Sequence, residues 1–149
     1  MRIALDTNVL AYAEGVGDEP RRSATHALLS LLPAATVVVP VQALGELFRV
    51  LTGKRGMSAK KARTAVLGWV DTFDTAESTQ AAMMSALDMV VEHRLQVWDA
   101  LILSAAAEAQ CRVLLSEDFQ HGFTVRGVTV VNPYAPTPHP LLKSLLDIE

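Results

Sequence analysis

The sequence predicts an α/β fold, a mostly parallel sheet covered by helices on both faces, on three observations. Short apolar or β-branched runs alternate along the chain with longer stretches whose apolar residues recur at helical spacing. One of the longer stretches, Val97 to about Gln110, is apolar almost all round, as a helix inside a core must be. The chain is also large enough: 149 residues, 50% hydrophobic and only 19% charged, bury a proper core in one ordinary domain.

Taken in order, Ile3 to Leu5 is a short apolar run cut by Asp6, Thr7 and Asn8, after which Val9, Leu10 and Tyr12 start a helical pattern. That is a buried strand followed at once by a helix. Pro20 starts a helix to about Leu32, with Glu19 near its positive end and Ala24, Leu28, Leu31 and Leu32 as its stripe, and Pro33 stops it. Thr36 to Val39, bounded by Pro40, is the second strand. Val41 to Thr52 is a helix with Val41, Leu44, Leu47, Phe48 and Leu51 on one face, closed by Gly53 and Gly56. A helix from Ser58 carries Ala62, Val66, Trp69 and Val70, and a short strand falls within Val70–Ala76. From Ser78 or Thr79 to about His93 a helix buries Ala82, Met83, Ala86, Leu87 and Val90. After the apolar helix come strands at Arg112–Leu115 and Gly127–Val131. Trp69 and Trp98 are expected to pack in the core, and Met83, Met84 and Met89 to fill helix contacts. The organisation expected is one domain over residues 1–132 and a tail over 133–149, with four of the seven prolines and a short amphipathic end, Leu141 to Ile148.

Composition excludes several classes. No apolar run reaches the ~18–20 residues of a membrane span. Asp6 interrupts what would have to be the apolar region of a signal peptide. A single cysteine, Cys111, rules out an intramolecular disulfide and a cysteine-based zinc site, and points to a reducing cytoplasm. The net charge of −3 argues against a broad basic face, though not against local basic clusters.

Four acidic residues stand where strands end or helices begin: Asp6, Glu46, Asp99 and Asp118. Each has an ordinary explanation. Asp6 can cap the following helix. Glu46 falls off the Leu44–Leu47–Leu51 stripe, between Gln42 and Arg49, as a solvated glutamate would. Asp99 can cap its helix, but Ile102 and Leu103 lie where a pairing cation would have to be. Asp118 follows its strand as Asp6 follows Ile3–Leu5, and turn chemistry explains either one alone. Glu117 competes with Asp118 for the same role. Taken together the four form an oxygen-only set that suits Mg²⁺ or Mn²⁺, since crowded carboxylates need a cation to neutralise them. A bound divalent ion can activate water and offset charge on a phosphate oxygen.

The sequence resembles the PIN-domain ribonucleases, and among them the VapC-type toxins of bacterial toxin–antitoxin pairs. The residues that carry the resemblance are Leu5-Asp6-Thr7-Asn8-Val9-Leu10, Glu46, Trp98-Asp99-Ala100-Leu101-Ile102 and Leu115-Ser116-Glu117-Asp118-Phe119. In order and rough spacing they span nearly all of the first 132 residues. The resemblance implies a three-layer α/β/α sandwich around a five-stranded parallel sheet. It also implies an acidic pocket of Asp6, Glu46, Asp99 and Asp118 holding Mg²⁺ or Mn²⁺, with metal-activated water cutting an RNA phosphodiester and no protein nucleophile. Thr7 matches a position whose hydroxyl often supports the site. A homodimer, and an antitoxin inserted into the acidic groove, are further implications.

Arg49, Lys54 and Arg55 follow Glu46 and could steer a phosphate backbone, as could Arg21 and Arg22; an ordinary solvated charge is the alternative for each. The four histidines show no metal-ligand spacing. A haloacid-dehalogenase-like phosphoryl-transfer site would need an acid where Asn8 stands. A response-regulator receiver would need an acidic pair beside strand one and a late-strand lysine, both missing. A nucleotide-binding fold would need a Gly-rich loop after the first strand. The rival from another class is a non-catalytic module whose acidic groove binds a basic partner.

Overall fold

The computed structural model describes residues 1–146. Six strands form one sheet in the order β3-β2-β1-β4-β6-β5. They are β1 (Arg2–Leu5), β2 (Val37–Pro40), β3 (Asp74–Ala76), β4 (Cys111–Leu115), β5 (Thr124–Val125) and β6 (Val128–Val131). The helices are α1 (Thr7–Ala13), α2 (Glu19–Leu31), α3 (Val41–Gly53), α4 (Ala59–Thr72), α5 (Gln80–His93), α6 (Val97–Glu108) and α7 (Pro140–Leu146), with a 3-10 turn at Ala34–Thr36. Every pairing among β1, β2, β3, β4 and β6 is parallel. Such a sheet needs cover on both faces. Accordingly Ile3, Ala4 and Leu5, all of β2, and Val113, Leu114 and Leu115 are buried whichever way they point.

The expected α/β architecture is present with one strand more. β5 is antiparallel to β6, with Val125 opposite Val128. Arg126 (φ 49°) and Gly127 (φ 80°) make the turn between them. Two successive positive-φ residues are what a tight two-residue hairpin requires. An arginine in the first of these positions hides the turn from a sequence reading, which looks there for Asn, Asp or Gly.

Helix α6 is the central pillar: Ala100 to Ala106 are all buried, and the helix packs on α5 and across the sheet. Trp98 does not join the core. It is 45% exposed, in the first turn of α6 before the buried run begins. Trp69 is buried as expected, and its indole N–H donates to Glu14 at 2.9 Å. Two helix stripes are rotated from expectation. In α2 the buried face is Thr25 and Leu28, continued by Leu32 just past the helix end, with Leu31 exposed; the Thr25 hydroxyl is satisfied by Arg21 O and Tyr134 Oη. In α5 it is Ala82, Ala86 and Met89, which leaves Met84, Leu87 and Val91 facing outward. Small residues let α5 approach α6 closely, and hydrophobicity alone could not show which side did so.

The proline-rich segment returns to the body. The Tyr134 ring meets Tyr12 edge-on at 5.3 Å, and Leu142 of α7 is buried. The expected amphipathic end is helical over Pro140–Leu146, and its last residues lie outside the described ones.

Candidate functional site

The strand order reverses beside β1. From β1 the chain builds outward through β2 and β3, then crosses to the other side for β4 and β6. At such a switch point the loops leaving adjacent strands diverge and open a crevice at their carboxyl ends. Leu5 and Leu115 are register partners at the ends of β1 and β4. The next residues, Asp6 and Ser116, are therefore neighbours at the crevice floor, joined by a hydrogen bond from Ser116 Oγ to Asp6 Oδ2 at 2.6 Å. A cleft of ≈680 Å³ lies here, with Glu46, Asp99, Glu117, Asp118, Arg49 and Lys54 among its walls.

Asp6 is 2% exposed. It does cap α1, with Oδ1 accepting from the Thr7 N–H at 2.7 Å. Capping leaves the other oxygen free to face Ser116 and Asn8. Burial, only partly offset by the hydrogen bonds from Ser116 and Thr7, pushes its carboxyl up to about 7, with Asp118 and Asp99 adding repulsion. Asp6 therefore carries a proton much of the time near neutral pH.

Glu46 sits in the middle of α3, on the face that turns toward the cleft. Thr7 Oγ1 donates to its Oε2 at 2.6 Å, and Gln42 Nε2 approaches Oε1 at 3.4 Å. Asp99 is not a cap. Gln96 caps α6 instead, its Oε1 accepting from the N–H groups of Trp98 and Asp99 at 2.9 and 3.0 Å. Asp99 stands in the first turn, where the helix dipole favours a carboxylate. Burial raises its pKa nevertheless, followed by the charges of Glu46 and Asp118.

Glu117 and Asp118 are adjacent but part company. Glu117 is engaged by the Tyr12 hydroxyl and by Arg21 Nε, the latter at 2.9 Å, while Arg21 also reaches Asp18 at 2.7 Å. Burial and then Glu117 hold the Tyr12 hydroxyl protonated far above its ordinary range. Asp118 is exposed to the cleft, and its Oδ2 accepts from Asn8 Nδ2 at 3.0 Å. The same amide lies 3.2 Å from Ser116 Oγ and 3.4 Å from Asp6 Oδ2. Sequence reasoning passed over Asn8, Ser116, Tyr12 and Arg21 in this role. Only the Asp6–Asn8 spacing signalled it, by placing an amide on the same helix start.

Of the four carboxylates, Glu46, Asp99 and Asp118 line the cleft, while Asp6 is buried beside it against Ser116 and Asn8. Among the described residues no three of them close into one compact coordination shell. The donor chemistry still fits a hard divalent ion, because Mg²⁺ keeps several waters and takes only one or two carboxylates directly. Burial first, and then repulsion among the acids, raises the pKa values of Asp6 and Asp99, and a divalent ion beside them would favour their charged forms. Of the basic residues, Arg49 and Lys54 line the cleft. The Arg55 guanidinium lies against Gly15, 3.1 Å from where a β-carbon there would sit. Arg21 and Arg22 are taken up by ion pairs with Asp18, Glu117 and Glu19.

No curated protein is similar enough in sequence to match. Solved structures are similar in fold. VapC20 of Mycobacterium tuberculosis, a sarcin–ricin loop cleaving toxin, is 19% identical at a TM-score of 0.66, over 78% of this chain and 89% of that one. A toxin–antitoxin complex from Klebsiella pneumoniae is 21% identical at 0.64, over 89% and 98%. VapBC2 from Rickettsia felis, bound to a DNA fragment from their promoter, is 13% identical at 0.62, over 87% and 97%. The model of the PIN domain matches residues 3–123, a span that holds all four carboxylates. The chain belongs to the PIN domain family, with the fold of the VapC toxins.

Proposed function

We propose that this protein is a divalent-metal-dependent endoribonuclease of the toxin kind. The observation that carries the reading is the gathering of Glu46, Asp99 and Asp118 around one cleft at the sheet's switch point, with Asp6 buried beside them. Membership of the PIN family and likeness in fold to toxin structures support it. Asp6, Glu46, Asp99 and Asp118 would hold Mg²⁺ or Mn²⁺, which when bound supplies an activated water and neutralises charge on the phosphate.

The chain's own residues prepare that site. Thr7 and Gln42 orient Glu46; Gln96 orders the first turn of α6 and with it Asp99; Asn8 and Ser116 tie Asp118 to Asp6. In this reading no side chain among the described residues serves as the nucleophile. The Ser116 hydroxyl is committed to Asp6, and the Cys111 thiol, at the far end of β4, is pushed up to about 11 by burial. Asp118 is the fourth ligand in this reading and Glu117 a positioning residue, held off the cleft floor by Tyr12 and Arg21.

A cognate antitoxin would occupy the cleft and silence it; an antitoxin partner is supported by the likeness in fold to toxin–antitoxin complexes. The outward stripe Met84, Leu87 and Val91 on α5 supports a homodimer. Work in the cytoplasm accords with the single cysteine, Cys111; among the described residues no helix is long and apolar enough to cross a membrane.

The test is incubation of the purified protein with total cellular RNA, with and without Mg²⁺ or Mn²⁺, beside Asp6→Ala and Asp99→Ala. Discrete metal-dependent products, lost in both variants, are expected. No cleavage, together with no thermal stabilisation by Mn²⁺, would show a binding module instead.

A further inference from the structure

The positive charge of this acidic protein is concentrated in one place. Between Glu46 and Asp71 the chain has no acid, yet it holds Arg49, Lys54, Arg55, Lys60, Lys61 and Arg63, six of its thirteen Lys and Arg residues. The fold keeps them together, because this stretch is the second half of α3, the turn after it and the start of α4. None of the six forms an ion pair among the described residues, whereas Arg2, Arg21, Arg22 and Arg126 all do. Three of them, Lys60, Lys61 and Arg63, crowd the first turns of α4, where the helix dipole is already positive and acids are absent. Folding alone does not favour that arrangement. An anion laid across it would relieve it.

The shape fits an anion that is also a polymer. A notch of ≈330 Å³ lies at this corner, walled by Phe48, Ala59, Lys60 and Arg63. Cations beside an aromatic side chain are what a single nucleic-acid strand uses, for its phosphates and its bases respectively. The notch and the acidic cleft lie on opposite sides of α3: Glu46 and Val50 face the cleft, while Phe48 faces the notch. Exposed Arg49 reaches the cleft rim from the crest between them, and Gly45 beside it leaves that crest bare. A helix is only about 10–12 Å across with its side chains, so a strand leaving the cleft can cross it within a few nucleotides.

We propose that the α3–α4 corner is a second RNA-binding surface, in which Lys60, Arg63 and Phe48 hold a single-stranded segment flanking the bond to be cut. The inference rests on the ribonuclease reading for its choice of RNA over other polyanions.

The experiment measures binding without cleavage. Fluorescein-labelled single-stranded RNA of mixed sequence, about 20 nucleotides long, is titrated in EDTA at several salt concentrations and followed by anisotropy. The full chain is compared with a Lys60→Ala/Arg63→Ala double variant and with Arg112→Ala, an exposed cation on β4 away from the corner. Thermal melts establish that all three are equally folded. The double variant is expected to bind about tenfold or more weakly at low salt. Its plot of log K against log salt should be flatter by about 1.4, at about 0.7 for each single-strand phosphate no longer neutralised. Arg112→Ala should match the parent. Equal affinity and slope in parent and double variant would overturn the proposal, as would no binding by the parent. Displacement by poly-glutamate as effective as by unlabelled RNA would overturn it too, and would mark the corner as a docking face for an acidic protein. Failure of the total-RNA cleavage assay with this binding intact would remove the nuclease reading alone.

Discussion

The two sides of α3 solve opposite electrostatic problems. On the cleft side, acids crowd together, Asp6 shut off from water and Asp118 open to it, and the fold holds them with neutral donors: Thr7 on Glu46, Ser116 on Asp6, Asn8 on Asp118. On the notch side, cations are left in water with no partner among the described residues. Burial raises the pKa values of Asp6 and Asp99, and repulsion among the acids adds to it; the exposed cations are screened by solvent and their cost is small. The acidic side should therefore govern chemistry and stability, and the basic side affinity and its salt dependence.

The largest effects are expected from removing charge on the acidic side. Asp6→Asn and Asp99→Asn should each lower RNA cleavage by about 10²–10⁴, because several kcal/mol of charge stabilisation go with each ligand. Single-turnover rates at saturating Mg²⁺ check this; a loss of less than tenfold in either would separate that residue from the chemistry. Asp118→Asn should cost about as much and Glu117→Gln less than about tenfold, since Glu117 acts through Tyr12 and Arg21. The reverse order would exchange their roles.

Stability should respond to pH in a direction unusual for a carboxylate. The Asp6 value rises from 3.8 unfolded to about 7 folded, so between about pH 4 and 7 the folded state binds more protons than the unfolded one. Stability is then fully present below about pH 4 and falls as pH rises through about 7, by on the order of a few kcal/mol in metal-free protein. Asp6→Asn keeps an oxygen for the Thr7 N–H and has no charge to bury. It should flatten this slope and melt higher than the parent in EDTA at pH 8, while losing stabilisation by Mn²⁺. Melting curves from pH 5 to pH 8 decide the point, and a stability that rises with pH in EDTA would contradict it.

Smaller changes test how the acidic side is held together. Asn8→Ala removes the amide between Asp6, Ser116 and Asp118, and should lower stability by about 1–2 kcal/mol. For a chain of this size that is a drop of about 2–8 °C in Tm. On the cleft rim, Arg49→Ala should raise KM for RNA several-fold at low salt with little change in kcat, an effect that fades as salt is added.

Much of this was legible along the chain. The alternation of apolar runs with helical stripes gave the α/β class because burial on both faces of a parallel sheet leaves long apolar strands, such as Val37–Val39 and Val113–Leu115. Asp99 stood out because it interrupts an almost wholly apolar helix. What escaped depended on choices between equals. Leu31 against Thr25, Leu87 against Met89 and the exposure of Trp98 are questions of a helix's rotation, which only the partner surface answers.

The sequence by itself determined that acids follow two of the strands and that cations, without acids, follow Glu46, since those are facts of order and composition. Only the tertiary structure decided that Asp6 is buried enough to hold a proton near neutrality, and that Glu117 turns to Tyr12 and Arg21 while Asp118 turns to Asn8. It alone placed the cleft's acids on one side of α3 and Lys60 and Arg63 on the other. The reason is physical: order along the chain sets which charges exist, whereas desolvation, repulsion and hydrogen bonding depend on distances between residues as far apart as Asn8 and Asp118, which exist only after the strands have paired in register.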